Sequence, residues 1–332
     1  FRRNRRDVFR SPWAPLYIAA PLVILAVLYP LWITGLHADA AATSAGGPAY
    51  GARLAAVWTA AGVPVTLSFT AAVASLVTFV RDMAARRTRD FGTTLLGAGT
   101  RAVGYASGAL LSALGTAAVS YACLQAAVHI GTGVPPVPRE LLFGLGYTLL
   151  GAANAASLCL LAVSVFRGAG VFVVLAALTA LLPGFLTGAF IPVGALQEPW
   201  STVIQCFPPS HAVLLARQTL TWRAASGVFG PKGTDLAWYQ SWFGIVVDWM
   251  GQPLAPIWSL AYLSGSALLS LAAASPRTRR RRSGLRAERV EQLLVHAAEA
   301  AVAHHQHVIA RPCRCDRVGH QRVQAIVAAR AR

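Results

Sequence analysis

Histidine and cysteine side chains near the end of the chain are the first candidates for chemistry, because together they could bind a metal ion. The six residues are His304, His305, His307, Cys313, Cys315 and His320. Structural zinc sites usually combine a C-x2-C pair with an H-x3-H pair or with a second C-x2-C pair. The spacing here matches neither arrangement. We therefore predict that this segment binds no metal.

Nucleotide binding and covalent catalysis are not indicated by any short motif. The chain has no G-x-x-x-x-G-K-[ST] loop, and its single lysine, Lys232, lies in the unrelated sequence GPKGT. The long apolar segments contain no Ser-His-Asp set, no His/Glu metal spacing and no acidic residue. The sequence therefore predicts a protein that is not an enzyme and that binds no cofactor of its own.

Two isolated polar residues remain as candidates inside apolar sequence. Asn154 lies in the middle of an apolar segment, where its amide either hydrogen-bonds to a neighbouring helix or lines a path. His211 follows Ser210 in the stretch FPPSHAVLLARQTL. We interpret His211 as a structural or gating residue rather than a catalytic one.

Membrane-spanning helices are the elements that must position these side chains. The chain has 332 residues, of which 55% are hydrophobic and only 12% are charged, about half the charged fraction of a soluble domain. A segment of about 20 apolar residues can cross a bilayer core. Six segments without Asp, Glu, Lys or Arg are long enough: Leu16–Leu36, Leu54–Val80, Ala102–Val128, Leu141–Phe166, Ala169–Phe190 and Ala255–Ala274. The predicted fold is an all-α integral membrane domain over residues 16–275.

The basic residues predict the orientation of these spans. The segments on one side of the six spans carry 24 basic and seven acidic residues, and those on the other side carry five of each. The positive-inside rule makes the first side cytoplasmic, so both termini are predicted to be cytoplasmic. This distribution also accounts for the net charge of +17, because basic residues that flank spans contact anionic lipids. We expect no nucleic-acid partner.

The stretch Leu178–Leu220, which we call the broken segment, does not have the sequence of one straight helix. The residues that disfavour a continuous helix are Pro183, Gly184, Gly188, Pro192, Gly194, Pro199, Pro208 and Pro209. Two helical pieces with a bend between them fit this pattern, and such breaks at membrane depth accompany function. An ordinary spanning helix followed by an external loop fits equally well.

The connection Val80–Arg101 is the most polar part of the chain before the tail. Arg81, Asp82, Arg86, Arg87, Arg89 and Asp90 recur at helical spacing beside Phe91. Asp82 and Arg86 are four residues apart, as in a helical ion pair. By itself, the pattern favours a solvated positive-inside loop, although mixed charges beside an aromatic residue also suit a docking face.

Three separate stretches resemble the permease subunit of ABC-2 type exporters. They are NRRDVFRSPWAPLYIAAPLVILAVLYPLWI near the beginning, FVRDMAARRTRDF in the connection, and GFLTGAFIPVGALQEPW followed by FPPSHAVLLARQTL in the broken segment. The three matches occur in the order found in that family and cover most of residues 1–275.

The resemblance implies a re-entrant outer hairpin between helices 5 and 6 and a coupling helix in the first cytoplasmic loop. The hairpin would act as an outer gate, with Pro183, Gly184, Phe185, Gly188, Pro192, Pro208 and His211 as its candidate residues. The coupling loop would contain Arg81, Asp82, Arg86, Arg87, Arg89, Asp90 and Phe91. ATP and Mg²⁺ would be bound by a separate ABC ATPase subunit. A second permease copy or a homologous permease would complete a dimer.

The ends and the external segment of the chain carry further predictions. Residues 1–15 are predicted to form a helix that lies on the cytoplasmic membrane surface. Residues 276–332 are predicted to form a disordered basic tail. Aromatic residues between 221 and 254 suggest an interfacial belt: Trp222, Trp238, Tyr239, Trp242, Phe243 and Trp249. The G-x-x-x-G pair Gly104 and Gly108 predicts close packing within the helix bundle.

These features predict the permease subunit of an ATP-driven exporter in a bacterial plasma membrane. An amphipathic or hydrophobic substrate, such as a drug, a lipid or a lipid-linked glycan, suits the apolar spans. Two alternatives stay open at this point: a non-transporting membrane scaffold or immunity protein, and a membrane enzyme that acts on lipid-linked substrates. The enzyme would need a polar catalytic cluster at one interface, which the sequence does not contain.

Overall fold

Ten α-helices and a π-helical turn make up almost all of the described chain. The structure is a computed structural model, and it describes residues 13–42, 49–84, 98–133, 137–166, 169–230, 234–246, 248–249 and 252–274. The predicted surface helix, apart from residues 13–15, and the predicted tail, including its histidines and cysteines, lie outside these residues. Two short strands complete the described elements.

The first five helices and the π-helical turn occupy residues 13–165. They are α1 (Trp13–Leu28), the π-helical turn (Tyr29–Ile33), α2 (Thr34–Ala42), α3 (Ala49–Ala84), α4 (Ala98–Thr132) and α5 (Pro138–Val165). Pro21 lies inside α1, and at Pro30 the α-helix gives way to the π-helical turn. The wider backbone of this turn accommodates Pro30, which cannot donate a backbone hydrogen bond.

The remaining elements begin with α6 (Ala169–Leu186) and include the broken segment. They are a 3₁₀ turn (Val193–Ala195), α7 (Trp200–Cys206), α8 (Pro208–Phe229), α9 (Thr234–Trp242) and α10 (Pro256–Ala274). Strands β1 (Asp248–Trp249) and β2 (Gln252–Pro253) pair antiparallel between α9 and α10, with Trp249 opposite Gln252.

Five helices of the described chain are long and apolar enough to cross a membrane, so the chain has the character of a multi-pass membrane protein. These spans are Pro15–Ala42, Tyr50–Asp82, Ala102–Thr132, Pro138–Val165 and Pro256–Ala274. They coincide with five of the six predicted segments. The sixth, predicted as Ala169–Phe190, corresponds to the apolar but shorter helix α6.

Helix α3 lies at the centre of the bundle and contacts α1, α2, α4, α5, α6 and α8. Small residues allow these helices to approach closely, as is usual in membrane bundles. A methyl group on Gly151 in α5 would lie only 2.6 Å from the Cβ atom of Ala212 in α8. The G-x-x-x-G prediction is wrong at Gly104, where an added methyl group would meet no atom within 4 Å.

Candidate functional site

The chain turns back sharply at the end of α6, inside the broken segment. The Phe190 N–H donates to the Gly184 carbonyl at 2.9 Å, and the Gly188 N–H donates to the Phe185 carbonyl at 2.9 Å. Gly188 has a φ of +67°, a conformation that favours glycine. The ring of Phe190 lies against Gly184, so closely that a Cβ atom there would be 2.0 Å from the ring. Pro183 lies within the last turn of α6, which ends at Leu186.

After this turn the chain passes Pro192 and two short helices before α8 begins at Pro208. Pro208 occupies the first turn of α8, where its missing N–H group has no helical partner to lose. The preceding residue, Phe207, stacks on Phe69 with 6.0 Å between ring centroids. Phe69 lies near the middle of α3. The turn between α7 and α8 therefore lies beside the middle of the central helix.

Hydrogen bonds from the first two turns of α10 hold the turn between α7 and α8. His211 Nε2 donates to the Gln205 carbonyl at 2.8 Å, which places the proton of the neutral ring on Nε2. His211 Nδ1 then accepts a hydrogen bond from Ser259 Oγ at 3.0 Å. Tyr262 Oη donates to the Cys206 carbonyl at 2.6 Å. Both nitrogen atoms of His211 are thus occupied in tying α8 to its neighbours.

Asn154 makes a second polar contact, between α5 and α10. Its Nδ2 group donates to the Leu263 carbonyl at 2.8 Å and to Ser266 Oγ at 2.6 Å. The side chain is fully buried, and its Oδ1 atom has no hydrogen-bond partner among the described residues. Of the two roles left open by the sequence, these contacts favour the hydrogen bond between helices.

Arg217 in α8 is the most informative residue that the sequence reasoning missed. Its side chain is only 1% exposed, and its guanidinium lies 3.6 Å from the ring centroid of Trp58 in α3. Nη2 donates to the Gly188 carbonyl at 2.8 Å, and Nε lies 3.4 Å from the Trp58 carbonyl. A single cation therefore joins α3, α8 and the turn after α6. The available signal was one arginine directly after the apolar run AVLLA in the stretch HAVLLARQTL.

An aromatic cluster lies next to Arg217. The ring of His37 in α2 lies 5.3 Å from Trp58 and 4.1 Å from Phe243, measured between centroids. Trp58 Nε1 donates to the Phe243 carbonyl at 2.9 Å. Tyr239 lies beside Phe243, and burial raises the pKa of its phenol, which keeps it protonated.

This cluster corrects part of the predicted aromatic belt. Tyr239 and Phe243 are fully buried because they pack against His37 and Trp58, so they do not contribute to an interfacial belt. Trp222 and Trp238 are about half-exposed, at 47% and 50%, as an interfacial position would require. Part of the segment 221–254 therefore packs against the helix bundle.

A small cavity of about 40 Å³ lies between the broken segment and the segment that follows α9. Arg217 borders it together with Thr187, Ser210 and Ser241. This volume suits one or two water molecules, whereas sites for drug-sized ligands occupy roughly 300–1,000 Å³. This cavity is therefore too small for a drug-sized ligand.

The predicted coupling loop is described only at its beginning. Arg81 is exposed on the last turn of α3, whereas Asp82 is only 4% exposed and accepts a hydrogen bond from Tyr105 in α4. The Asp82 side chain thus joins α3 to α4. The other candidates lie outside the described residues: Arg86, Arg87, Arg89, Asp90 and Phe91.

The residues that the structure describes contain no candidate metal-binding site. Those residues contain no group of three or more His, Cys, Asp or Glu side chains placed to hold a metal ion. Comparison with protein-family models, curated proteins and solved structures gave no significant match.

Proposed function

We propose that this chain is the membrane subunit of an ATP-driven exporter of the ABC-2 type. It would have six spans, with α6 as the fifth, and cytoplasmic termini in a bacterial plasma membrane. The arrangement of the broken segment is the observation that carries the proposal. The remaining support is the resemblance in the three sequence stretches.

The depth of the turn between α7 and α8 supports a re-entrant hairpin. Phe207 stacks beside the middle of α3, and Ala212 meets Gly151 near the middle of α5. Both α3 and α5 are long and apolar enough to span a membrane. After α6 the chain returns to the depth of Phe69 and Gly151, and α8 then runs away from that depth along α5. This is the path of a re-entrant hairpin.

The contacts of the hairpin suit a gate that moves as one piece. Arg217 joins it to α3, and His211 and Asn154 join the adjoining helices through a few polar contacts at the centre of the bundle. Non-helical backbone at this depth needs such partners, because lipid cannot satisfy its polar groups. We propose that ATP-driven movement at the cytoplasmic ends of α3 and α4 reaches the gate through α3.

Purification of the tagged full chain from its native membranes in mild detergent tests the proposal. We expect a stoichiometric Walker-type ATPase to copurify, which mass spectrometry would identify, and its ATPase activity to depend on this chain. Recovery of the chain without an ATPase would contradict the proposal and favour a scaffold or immunity protein.

Charge reversal in the connection after α3 sharpens this test. Replacing Arg86, Arg87 and Arg89 by glutamate should abolish ATPase recovery if this loop is the docking site. The matched control replaces three arginines on the same predicted side, Arg280, Arg281 and Arg282, by glutamate. It should leave recovery of the ATPase unchanged. Equal recovery from both variants would exclude this loop as the docking site.

A further inference from the structure

A long groove opens on the side of the bundle between α1, α3 and α4, away from the broken segment. It has a volume of about 940 Å³, which is at the upper end of the range for small-molecule sites. Its walls are mainly apolar, with Leu22 and Leu25 from α1 and Leu124 from α4. An elongated apolar group therefore fits between the helices.

One end of the groove carries a cation. Arg53 lies in the second turn of α3, is partly buried and borders the groove together with Tyr50. Within the described part of the chain, its side chain has neither an ion pair nor a hydrogen bond. A partly buried guanidinium attracts a negatively charged group, since its five N–H donors match phosphate or carboxylate oxygens.

A second polar group borders the groove more deeply. Thr59 is 5% exposed, and its Oγ1 atom has no hydrogen-bond partner among the described residues. A buried hydroxyl without a partner is costly unless a ligand or water occupies the site. This observation is independent of Arg53, and Thr59 borders the same groove.

The helix that forms the opposite wall is irregular at this point. Tyr29 and Pro30 border the groove and belong to the π-helical turn. π-Helical turns are rare and occur frequently at functional sites, because the extra residue widens the helix and redirects its side chains. The irregularity therefore coincides with the cation and the unpartnered hydroxyl.

From these features we infer that the groove binds an anionic phospholipid, with its headgroup at Arg53 and one acyl chain along Leu22 and Leu25. The negative headgroup matches the cation, and the chain matches the apolar walls. A bilayer lipid has direct lateral access to a groove on the side of a membrane bundle. The inference requires only residence in a membrane and does not depend on export activity.

The neighbouring groove supplies an internal comparison. It lies between α3, α4, α5 and α8 and has a volume of about 720 Å³. Arg223 and Glu140 border it, and so does Arg53, which the two grooves share. The Arg223 and Glu140 side chains lie 3.7 Å apart, so the charge of Arg223 is already balanced. Of the two arginines that border this second groove, only Arg223 has an acidic partner among the described residues, and only Arg53 also borders the first groove.

Lipid binding by the purified full chain tests the inference. Native mass spectrometry would compare the retention of phosphatidylglycerol and phosphatidylcholine with identical acyl chains. We expect phosphatidylglycerol to bind about fivefold more tightly, as one arginine near an anionic headgroup provides. Arg53→Gln should abolish this preference, and Arg223→Gln should leave it unchanged. Equal retention of both lipids, or equal effects of the two variants, would overturn the inference.

Filling the groove provides a second test, which does not depend on charge. Gly131 borders the groove, and a Cβ atom there would meet nothing within 4 Å, so Gly131→Leu should fold normally and displace both lipids. Gly115→Leu is a matched control, because Gly115 lies on the same helix, has open space and does not border the groove. Unchanged retention of the lipids in Gly131→Leu would overturn the inference.

Cross-linking tests whether a second copy of the chain occupies the groove instead. Efficient cross-linking between two copies of a Gly131→Cys chain would assign the groove to a second copy and would also overturn the inference.

Discussion

Arg217 joins the broken segment to the central helix α3. Its guanidinium stacks on Trp58 and contacts two backbone carbonyls from different parts of the chain. A planar group with several donors can make these contacts together, whereas the ammonium group of lysine cannot reproduce them. Burial of a cation is costly, so its retention requires each of these partners.

Replacing Arg217 should destabilise the protein strongly. Arg217→Ala leaves the Gly188 and Trp58 carbonyls without their donor and opens a cavity, and we expect it to lower the free energy of unfolding by about 2–4 kcal/mol. Arg217→Lys should restore less than half of this loss. Thermal unfolding in detergent, followed by circular dichroism, measures both effects.

Arg223→Ala is the matched control for this comparison. Arg223 is in the same helix, but its side chain is 55% exposed and its ion pair with Glu140 is long, at 3.7 Å. Exposed pairs of this kind contribute less than about 1 kcal/mol. Equal losses in Arg217→Ala and Arg223→Ala would contradict the role assigned to Arg217.

Asn154 provides a second prediction for a single residue. Asn154→Ala removes two hydrogen bonds between α5 and α10, and contacts of this type in membrane bundles contribute about 1 kcal/mol. Ser157→Ala is the control, because Ser157 Oγ donates only to the Asn154 carbonyl of its own helix. Unfolding midpoints should fall in Asn154→Ala and change little in Ser157→Ala. An unchanged unfolding midpoint in Asn154→Ala would contradict the structural role and favour a role for the Asn154 amide in lining a path.

Among the elements, α6 is distinguished by how it ends. Its last turn contains Pro183 and Gly184, and Phe190 folds back onto the glycine. The aromatic ring occupies the space that a side chain at position 184 would need. The end of α6 and the direction of the following chain therefore depend on a contact between two residues six positions apart.

Gly184→Ala should disturb this contact. The added methyl group overlaps the Phe190 ring, and overpacking of this kind typically costs about 1–3 kcal/mol. Gly170→Ala is the control in the same helix, because a Cβ atom at Gly170 meets nothing within 4 Å. Unfolding in detergent should show a loss for Gly184→Ala alone. The double variant Gly184→Ala/Phe190→Leu should recover part of it, and an absence of recovery would show that the ring is not the cause.

For the whole molecule, the predicted orientation is the property most readily tested. A single cysteine is introduced at Gly227 or at Arg81 after the five native cysteines have been replaced by alanine. Both positions are exposed and lie on opposite predicted sides of the membrane. A membrane-impermeant maleimide should label Gly227→Cys in intact cells and Arg81→Cys only after permeabilisation. The reverse labelling pattern would show that the orientation is opposite to the predicted one.

The sequence predicted the spanning helices well, because long apolar segments without charges have few alternatives. Segment Leu54–Val80, for example, is found within the span Tyr50–Asp82. The number of six spans and the orientation stay predictions. The all-helical, multi-pass character is what the structure bears out.

The side-chain contacts were much less predictable, because they join residues far apart in the chain. Arg217 meets Trp58 across 159 positions, and no local pattern indicates that pairing. Glycine spacing was misleading for a related reason, because Gly104 has open space whereas the isolated Gly151 makes a close helix contact. Whether a small residue is packed depends on the partner helix that it meets.

The helices around the site differ greatly in length. Helix α3 has 36 residues, about 54 Å at 1.5 Å per residue, whereas α6 has 18 residues, about 27 Å. When lipid acyl chains lengthen, a long helix can adapt by standing more upright, but a helix shorter than the bilayer core requires the bilayer to thin around it. Trp58 belongs to α3 and Gly188 follows α6, and Arg217 holds both. Hydrophobic mismatch would therefore strain this contact, so the arrangement of the broken segment would depend on bilayer thickness.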